Sequence, residues 1–329
     1  MTPPDSNPTA GTALTIGNFD GVHNGHCALV ARCRQAVGPG GKVVVLAFSP
    51  HPMTVLNRDH APLPIERFSV RAARLKAAGG DEVIELIPTP ELLSMSAQGF
   101  VDHVIDAYRP TVIVEGEDFR FGKRRAGTAT VLKELASMRG VEVQIVPAVS
   151  AALTDQSIVT ASSTMARWLV AHGRARDAGF VLGRPHELIG HVVRGDQLGR
   201  RIGFRTANLK TDSMLPCDGV YGATVVLPDG TVMGGALNVG TRPTVDGTDR
   251  RAEVHVFDSD GQPWMPGIDF PEYGWAITVR LIGWVRDQMK FASIDILSEQ
   301  LARDVVRAGP MVAPLLDTKL NESQAVEPV

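Results

Sequence analysis

Two histidines three residues apart close the stretch Gly17-Asn18-Phe19-Asp20-Gly21-Val22-His23-Asn24-Gly25-His26. Residues at i and i+3 share a helix face, so a helix starting here lets His23 and His26 address one ligand. Its first turn supplies unpaired N–H groups and the positive end of a dipole, both of which favour a phosphate. An imidazole donates to a phosphoryl oxygen without the permanent charge of lysine. Nucleotidyl transfer needs these features: phosphates held still, and donors where charge builds on the reacting phosphorus. The same residues also suit a plain structural turn. With Cys27 they suit part of a zinc site, although no second Cys/His pair lies nearby.

A second polar stretch runs Gly195-Asp196-Gln197-Leu198-Gly199-Arg200-Arg201-Ile202-Gly203-Phe204-Arg205-Thr206-Ala207-Asn208-Leu209. Gly195, Gly199 and Gly203 permit a tight loop whose backbone N–H groups face phosphate oxygens. Thr206 and Asn208 offer hard oxygen ligands suited to Mg²⁺ beside nucleotide phosphates. On spacing alone, an ordinary barrel loop with a polar strand face is the favoured reading. Glu253, in Arg251-Ala252-Glu253-Val254-His255, alternates with apolar residues and so projects to the face opposite Val254. A third stretch, Thr160-Ala161-Ser162-Ser163-Thr164-Met165-Ala166-Arg167, precedes a helical run over 168–172. Ser162 or Ser163 suits its N-cap, and the hydroxyls with the planar fork of Arg167 also suit phosphates.

The elements that must carry these residues change in kind along the chain. Apolar, β-branched runs at 12–16, 43–48, 83–87, 111–115 and 141–146 alternate with helical patterns at 27–37, 69–78, 98–108 and 128–138. Such alternation predicts an α/β domain with a parallel sheet covered on both faces. Ligands bind outside the carboxyl ends of such strands. That gathers residues 18–26, Ser49-Pro50-His51-Pro52 and 116–122 on one rim. After Gly183, strand patterns at 188–193, 220–227, 232–238, 252–257 and 276–281 follow one another without helices, with turn signals at Pro228-Asp229-Gly230 and Asp246-Gly247. This predicts an antiparallel barrel or sandwich. A helix over 293–308 closes it, and the stripe Ile294, Leu297, Leu301, Val305 reads as core.

With 329 residues, 44% of them apolar and 21% charged, the chain suits two globular domains. A net charge of −3 gives no basic footprint for nucleic acid. No apolar run is long enough for a membrane span, and nothing points to a particular oligomeric state. Three cysteines, Cys27, Cys33 and Cys217, make no disulfide framework, and the expected compartment is the reducing cytoplasm. Residues 1–10 read as a disordered leader, 171–184 as a linker and 313–329 as a loose tail.

Taken in order, the motifs GNFDGVHNGH, SPHP, GEDFRFG, SSTMAR, LGRPHELIGHVVRGD, GRRIGFRTANL, LPCDGVYG, NVGTRPT and the Glu253 strand resemble those of the bacterial bifunctional riboflavin kinase/FAD synthetases. Glu272-Tyr273-Gly274 and residues 286–291 resemble that family's closing segment. The resemblance implies a nucleotidyltransferase-like, Rossmann-like domain over 11–170 and a Greek-key riboflavin kinase barrel with a C-terminal helix over 185–312. The barrel would phosphorylate riboflavin to FMN with ATP. The first domain would adenylylate FMN to FAD with a second ATP, releasing pyrophosphate. His23 and His26 would contact ATP phosphates and stabilise the adenylyl-transfer transition state, in a pocket shaped by Gly17, Asn18, Phe19 and Gly25. Asp118 would serve ATP or FMN, and Ser163, Thr164 and Arg167 would hold phosphates. In the barrel, Gly195, Gly199 and Gly203 would shape the ATP and riboflavin site, Thr206 and Asn208 would position Mg²⁺–ATP, and Glu253 would take the riboflavin hydroxyl proton.

Several positions depart from that family's usual pattern. Arg205 stands where proline is usual, Ser49 where an acid is usual, Cys27 where glutamine is common, and Glu115 at a strand end usually aliphatic. Met165-Ala166 replaces a basic–aliphatic pair. Two other readings use the same residues: a chain that keeps only adenylyl transfer, and a flavin-binding protein without catalysis.

Overall fold

The computed structural model describes residues 11–195, 199, 203–244, 247–265, 267 and 270–316. The expected leader, most of the expected tail, residues 196–198 and 200–202 of the glycine-bearing stretch, and Asp246 lie outside the described residues. The chain divides into two compact units, Met1–Ala151 with Thr160–Ser163, and Ala152–Val159 with Thr164–Val329.

In the first unit β1 (Thr12–Gly17), β2 (Lys42–Phe48), β3 (Glu82–Leu86), β4 (Val112–Gly116) and β5 (Glu142–Val146) form one sheet in the order β3-β2-β1-β4-β5. Every pairing is parallel. Val43 to Ala47 are buried without alternation, as a strand covered on both faces requires. One cover includes α1 (Asn24–Val37), which buries Val30, Cys33 and Val37. The other includes α3 (Ala97–Tyr108) and α4 (Ala129–Ser137), after α2 (Phe68–Ala77) in the chain. Strand order reverses between β1 and β4, and at such a switch point the loops leave a crevice.

Glu115, one of the unusual residues, lies fully inside this sheet and accepts a hydrogen bond from the Ile16 N–H at 2.7 Å. Burial pushes its pKa well above the ordinary 4.5, with the nearby Asp118 charge adding to the effect and the Ile16 N–H opposing it. The folded chain therefore holds this proton at pH values where the unfolded chain has released it. Its contribution is complete below the ordinary value and is lost as pH rises toward the folded one. Glu115→Gln, which keeps an acceptor for Ile16, is expected to flatten the fall of the urea midpoint with rising pH above 4.5. Parallel midpoint curves for the two proteins would contradict this.

The second unit, after its segment Ala152–Val159, takes α5 (Ser163–Ala171) from Thr164 onward, and then α6 (Ala175–Leu182). The helix expected over 168–172 thus starts five residues earlier, which puts Thr164 and Arg167 inside it. Residues 175–182, within the stretch read as a linker, are helical and bury Ala178, Val181 and Leu182. Six antiparallel strands then close a barrel in the order β6-β7-β10-β9-β8-β11. They are β6 (His186–Val193), β7 (Ala207–Thr211), β8 (Gly219–Val226), β9 (Val232–Thr244), β10 (Gly247–Phe257) and β11 (Ala276–Arg286). Strands β8 to β10 are joined consecutively and β11 returns beside β8, which is the Greek-key connection. The interior is filled by Leu188, Val225, Leu237, Val254 and Val279, none of them measurably exposed. Each such side chain contributes about 1.5–3 kcal/mol of burial free energy.

Strand β7 is not among the strands expected from the sequence, which allows no more than a polar strand face near Thr206 and Asn208. Its pairing is decided by partners distant in sequence: Asn208 lies opposite both Val193 and Glu253. The closing helix α7 (Ile294–Leu316) is longer than expected, and two prolines, Pro310 and Pro314, lie within its last turns. It is tied to the barrel by a bidentate pair in which Arg286 Nε and Nη2 donate to Asp304 at 2.8 and 2.7 Å. Gln300 donates to the same carboxylate at 2.9 Å.

Candidate active sites

Strand β1 ends at Gly17 and α1 begins at Asn24, so His23 occupies the N-cap position and His26 the first turn. Between them Phe19 and Val22 adopt φ of +48° and +38°. Non-glycine residues at such angles cost about 1–3 kcal/mol each and persist only where their surroundings hold them. Three groups supply that hold, of which Asp20 and Arg71 are buried. The Asp20 carboxylate accepts from the N–H groups of Ile65, at 3.0 and 3.1 Å, and of Glu66, at 3.3 Å. Ser163 Oγ donates to the Asp20 carbonyl at 2.8 Å. Arg71 donates to the carbonyls of Asn18 and, at 3.1 Å, Phe48, so one guanidinium joins the loop that follows β1 to the last residue of β2. Burial lowers the Arg71 pKa, and the charges of Asp20 and Glu66 oppose that shift.

Held this way, the imidazoles of His23 and His26 stack with ring centroids 3.6 Å apart and planes 27° apart, and Phe19 lies 5.0 Å from His26. Gly25 makes room for them. A Cβ there would approach the His23 ring to 3.1 Å and the Ala161 carbonyl to 3.3 Å. Asn18 Nδ2 lies 3.1 Å from His51 Nε2, and His51 Nδ1 accepts from Met53 N–H at 3.1 Å. Gly17 ends β1 next to the Phe19 ring. Asp118 is exposed just beyond β4, followed by the stacked rings of Phe119 and Phe121. The structure thus brings His23, His26, Gly25, Phe19, Asn18 and Ser163 together around one turn. Thr164 and Arg167 follow on α5, in the second unit.

Among the described residues, two neighbouring cavities share part of the barrel wall. One, of about 120 Å³, is lined by Gly195, Arg205, Trp264, Glu272 and Tyr273. The other, of about 240 Å³, is lined by Glu253, His255, Asn238 and Arg286 on the barrel side. Thr206 and Asn208 line both. Because Val254 points into the barrel core, Glu253 and His255 point outward together from β10, as the alternation predicts. A side chain at Gly195 would overlap the Asn208 amide, so that glycine lets Asn208 lie flat across the loop. Gly199 accepts from Phe204 N–H at 2.9 Å, and Gly203 turns the chain with φ of +80°.

The stripe on α7 read as core is core in part, for Val305 is buried with Val220, Ala308 and Val312. Leu297, Leu301 and Val305 wall the larger cavity, while Ile294 is half exposed. A helical stripe buries whatever faces it, and here it faces a hollow as well as side chains. His255 is buried among Phe204 and Phe257, and its Nδ1 lies 2.8 Å from the Arg205 carbonyl. Burial holds its pKa below the ordinary 6.5, and the hydrogen bond to Arg205 opposes that shift. Among the described residues no cluster of three or more His, Cys, Asp or Glu side chains is placed to hold a metal ion.

Asp20, Arg71 and His255 carry parts of these sites that the sequence reading did not assign. Asp20 and His255 stood inside motifs already quoted. Arg71 had no signal, since its partners are carbonyls brought near only by folding.

The family model described as FAD synthetase matches residues 5–162, and that described as riboflavin kinase matches residues 182–312. The bifunctional riboflavin kinase/FMN adenylyltransferase of Escherichia coli K12 is 34% identical over 92% of this chain and 93% of its own length. Those of Haemophilus influenzae and Pseudomonas fluorescens are 32% and 33% identical, over 91% and 92% of this chain and 93% and 94% of their own lengths. A crystal structure from Streptococcus pneumoniae, described as a macrolide-efflux protein, is 31% identical with a TM-score of 0.80, covering 94% of this chain and 96% of that one. No helix among the described residues here is long and apolar enough to cross a membrane. Two matched domains in this order, with relatives aligned almost end to end, show that the chain belongs to the bifunctional riboflavin kinase/FMN adenylyltransferase family.

Proposed function

We propose that the chain's two activities, phosphorylation of riboflavin to FMN and adenylylation of FMN to FAD, run at two separate sites. The stretch 11–170 carries the adenylyl-transfer site, and 185–312 carries the kinase site. The observation that carries this reading is the placement of Thr206 and Asn208 on the wall shared by two cavities, only one of which contains Glu253. A phosphoryl donor and its acceptor need such an arrangement, with phosphates at the shared wall and a base on the acceptor's side.

At the kinase site Glu253 takes the proton of the ribityl 5′-hydroxyl as its oxygen bonds to the γ-phosphorus. The bond from that phosphorus to the β,γ-bridging oxygen breaks, and ADP leaves. The hydroxyl of Thr206 and the amide oxygen of Asn208 fit Mg²⁺, which prefers hard oxygens and keeps water and phosphate oxygens as its other ligands. When bound, Mg²⁺ offsets phosphate charge and orients the chain of phosphates. Gly195, Gly199 and Gly203 let the loop approach them.

At the adenylyl site a phosphate oxygen of FMN bonds to the α-phosphorus of ATP, and pyrophosphate leaves. His23 and His26 donate to phosphate oxygens as charge gathers there. Gly17, Asn18, Phe19 and Gly25 shape the pocket, Asp118 serves ATP or FMN, and Ser163, Thr164 and Arg167 hold phosphates. Three free cysteines fit a reducing cytoplasm.

Arg205 does not remove the kinase step in this reading. Its carbonyl, which proline would also offer, meets His255, while its side chain lines the smaller cavity. Arg205→Ala is expected to raise the KM for ATP in FMN formation about tenfold, since a hydrogen bond to a charged group is worth about 1.5–3 kcal/mol, and to leave the KM for riboflavin unchanged. Steady-state kinetics with each substrate varied checks it; a change confined to riboflavin would contradict it. The reading as a whole is tested by incubating the chain with riboflavin, ATP and Mg²⁺ and separating the products. Absence of both FMN from riboflavin and FAD from supplied FMN would overturn it.

A further inference from the structure

His255 is 3% exposed and faces the larger cavity beside Glu253. Its two nitrogens have different fates. Nδ1 lies 2.8 Å from the Arg205 carbonyl, which can only accept, so Nδ1 carries the ring proton. In the neutral ring Nε2 is then an acceptor, and among the described residues it is buried with no hydrogen-bond partner. A buried acceptor left unsatisfied is costly, and native structures leave few of them.

The required partner is a hydrogen-bond donor. A phosphate oxygen presents only lone pairs and is repelled by Nε2, so the nucleotide's phosphates do not satisfy it. The flavin's ribityl chain does, because every carbon near its reacting end carries an O–H. His255 follows Glu253 by two residues on the same face of β10, roughly 7 Å along the strand. Ala236, opposite His255 in β9, adds only a methyl group to this part of the wall. With the terminal 5′-hydroxyl at Glu253, an inner hydroxyl of the same chain reaches His255.

From this juxtaposition we infer that His255 recognises the flavin substrate by accepting a hydrogen bond from an inner ribityl hydroxyl, while its other nitrogen fixes the Arg205–Thr206 backbone. The residue is thus a specificity determinant of the kinase step. The inference rests on the assignment of the larger cavity to riboflavin.

His255→Asn keeps a donor near the Nδ1 position and removes the Nε2 acceptor; His255→Gln extends a carbonyl oxygen toward the Nε2 position. Both are assayed in the full chain for FMN formation, with riboflavin and with its 2′-, 3′- and 4′-deoxy analogues. For His255→Asn the expected result is a riboflavin KM raised about tenfold, an unchanged KM for ATP, and one analogue that wild type and variant use equally well. His255→Gln should recover part of the loss for riboflavin and none for that analogue. An unchanged riboflavin KM, an equal loss on all three analogues, or a loss confined to ATP would overturn the inference. If His255→Asn lacks a melting transition for the barrel, His255→Gln alone decides by the same analogue comparison. No FMN from the wild-type chain would instead defeat the cavity assignment itself.

Discussion

Replacing Glu253 with alanine should lower FMN formation by about 10²–10⁴-fold, the usual contribution of a general base, and leave FAD formation from supplied FMN intact. The size of the effect follows from where the carboxylate sits. Glu253 is half-buried on the outer face of β10, at the cavity, and its neighbours Ala252 and Val254 carry the barrel core. Truncation therefore removes a proton acceptor without removing core packing. A ribityl hydroxyl has a high pKa, so without a positioned base its oxygen attacks phosphorus poorly. Initial rates of FMN appearance from riboflavin, and of FAD appearance from FMN, separate the two activities. Equal damage to both would mean that the substitution acts through stability.

The reciprocal result is expected for His23. His23→Ala removes one of two stacked imidazoles from the turn after β1, and loss of one preorganised donor from a transition state costs about 10²–10³-fold. FAD formation should fall by that factor while FMN formation continues. The turn itself should survive, because Asp20, Arg71 and Ser163 hold it at residues 18 and 20, ahead of the histidine and without using its side chain. An unchanged melting profile, together with the lost adenylyl transfer, would show that the effect is chemical. If His23→Ala keeps FAD formation while His26→Ala abolishes it, His26 alone acts on the phosphates.

Much of this arrangement is legible in the residues, for a physical reason. Runs such as Val43 to Ala47 have only one stable use, a strand covered on both faces, and strand ends in such sheets gather the loops that follow them. His23 and His26 were legible because a spacing of three at a helix start lets both reach one side, although His23 is the extended N-cap and the held turn places its ring. Strand β7 was not. Residues 207–211 carry a mixed polar sequence, and β6 and β10, which fix them in the barrel, lie apart from them in the chain. The stripe on α7 is legible as buried, and Val305 does join the core, but its role as a cavity wall is not. Apolar spacing reports which face is turned away from water and is blind to whether that face meets side chains or a hollow. Arg71 was invisible because its partners are two main-chain carbonyls, one in the loop after β1 and one at the end of β2.

Both reactions use the terminal end of the ribityl chain, so FMN must leave the kinase site before it can be adenylylated. Mixing the two damaged chains, His23→Ala and Glu253→Ala, with riboflavin, ATP and Mg²⁺ tests two separate sites most directly. Neither chain alone should make FAD from riboflavin at an appreciable rate. The mixture should make it readily, with FMN released by one chain and consumed by the other. A mixture that accumulates FMN without FAD, although Glu253→Ala adenylylates FMN supplied directly, would contradict the account.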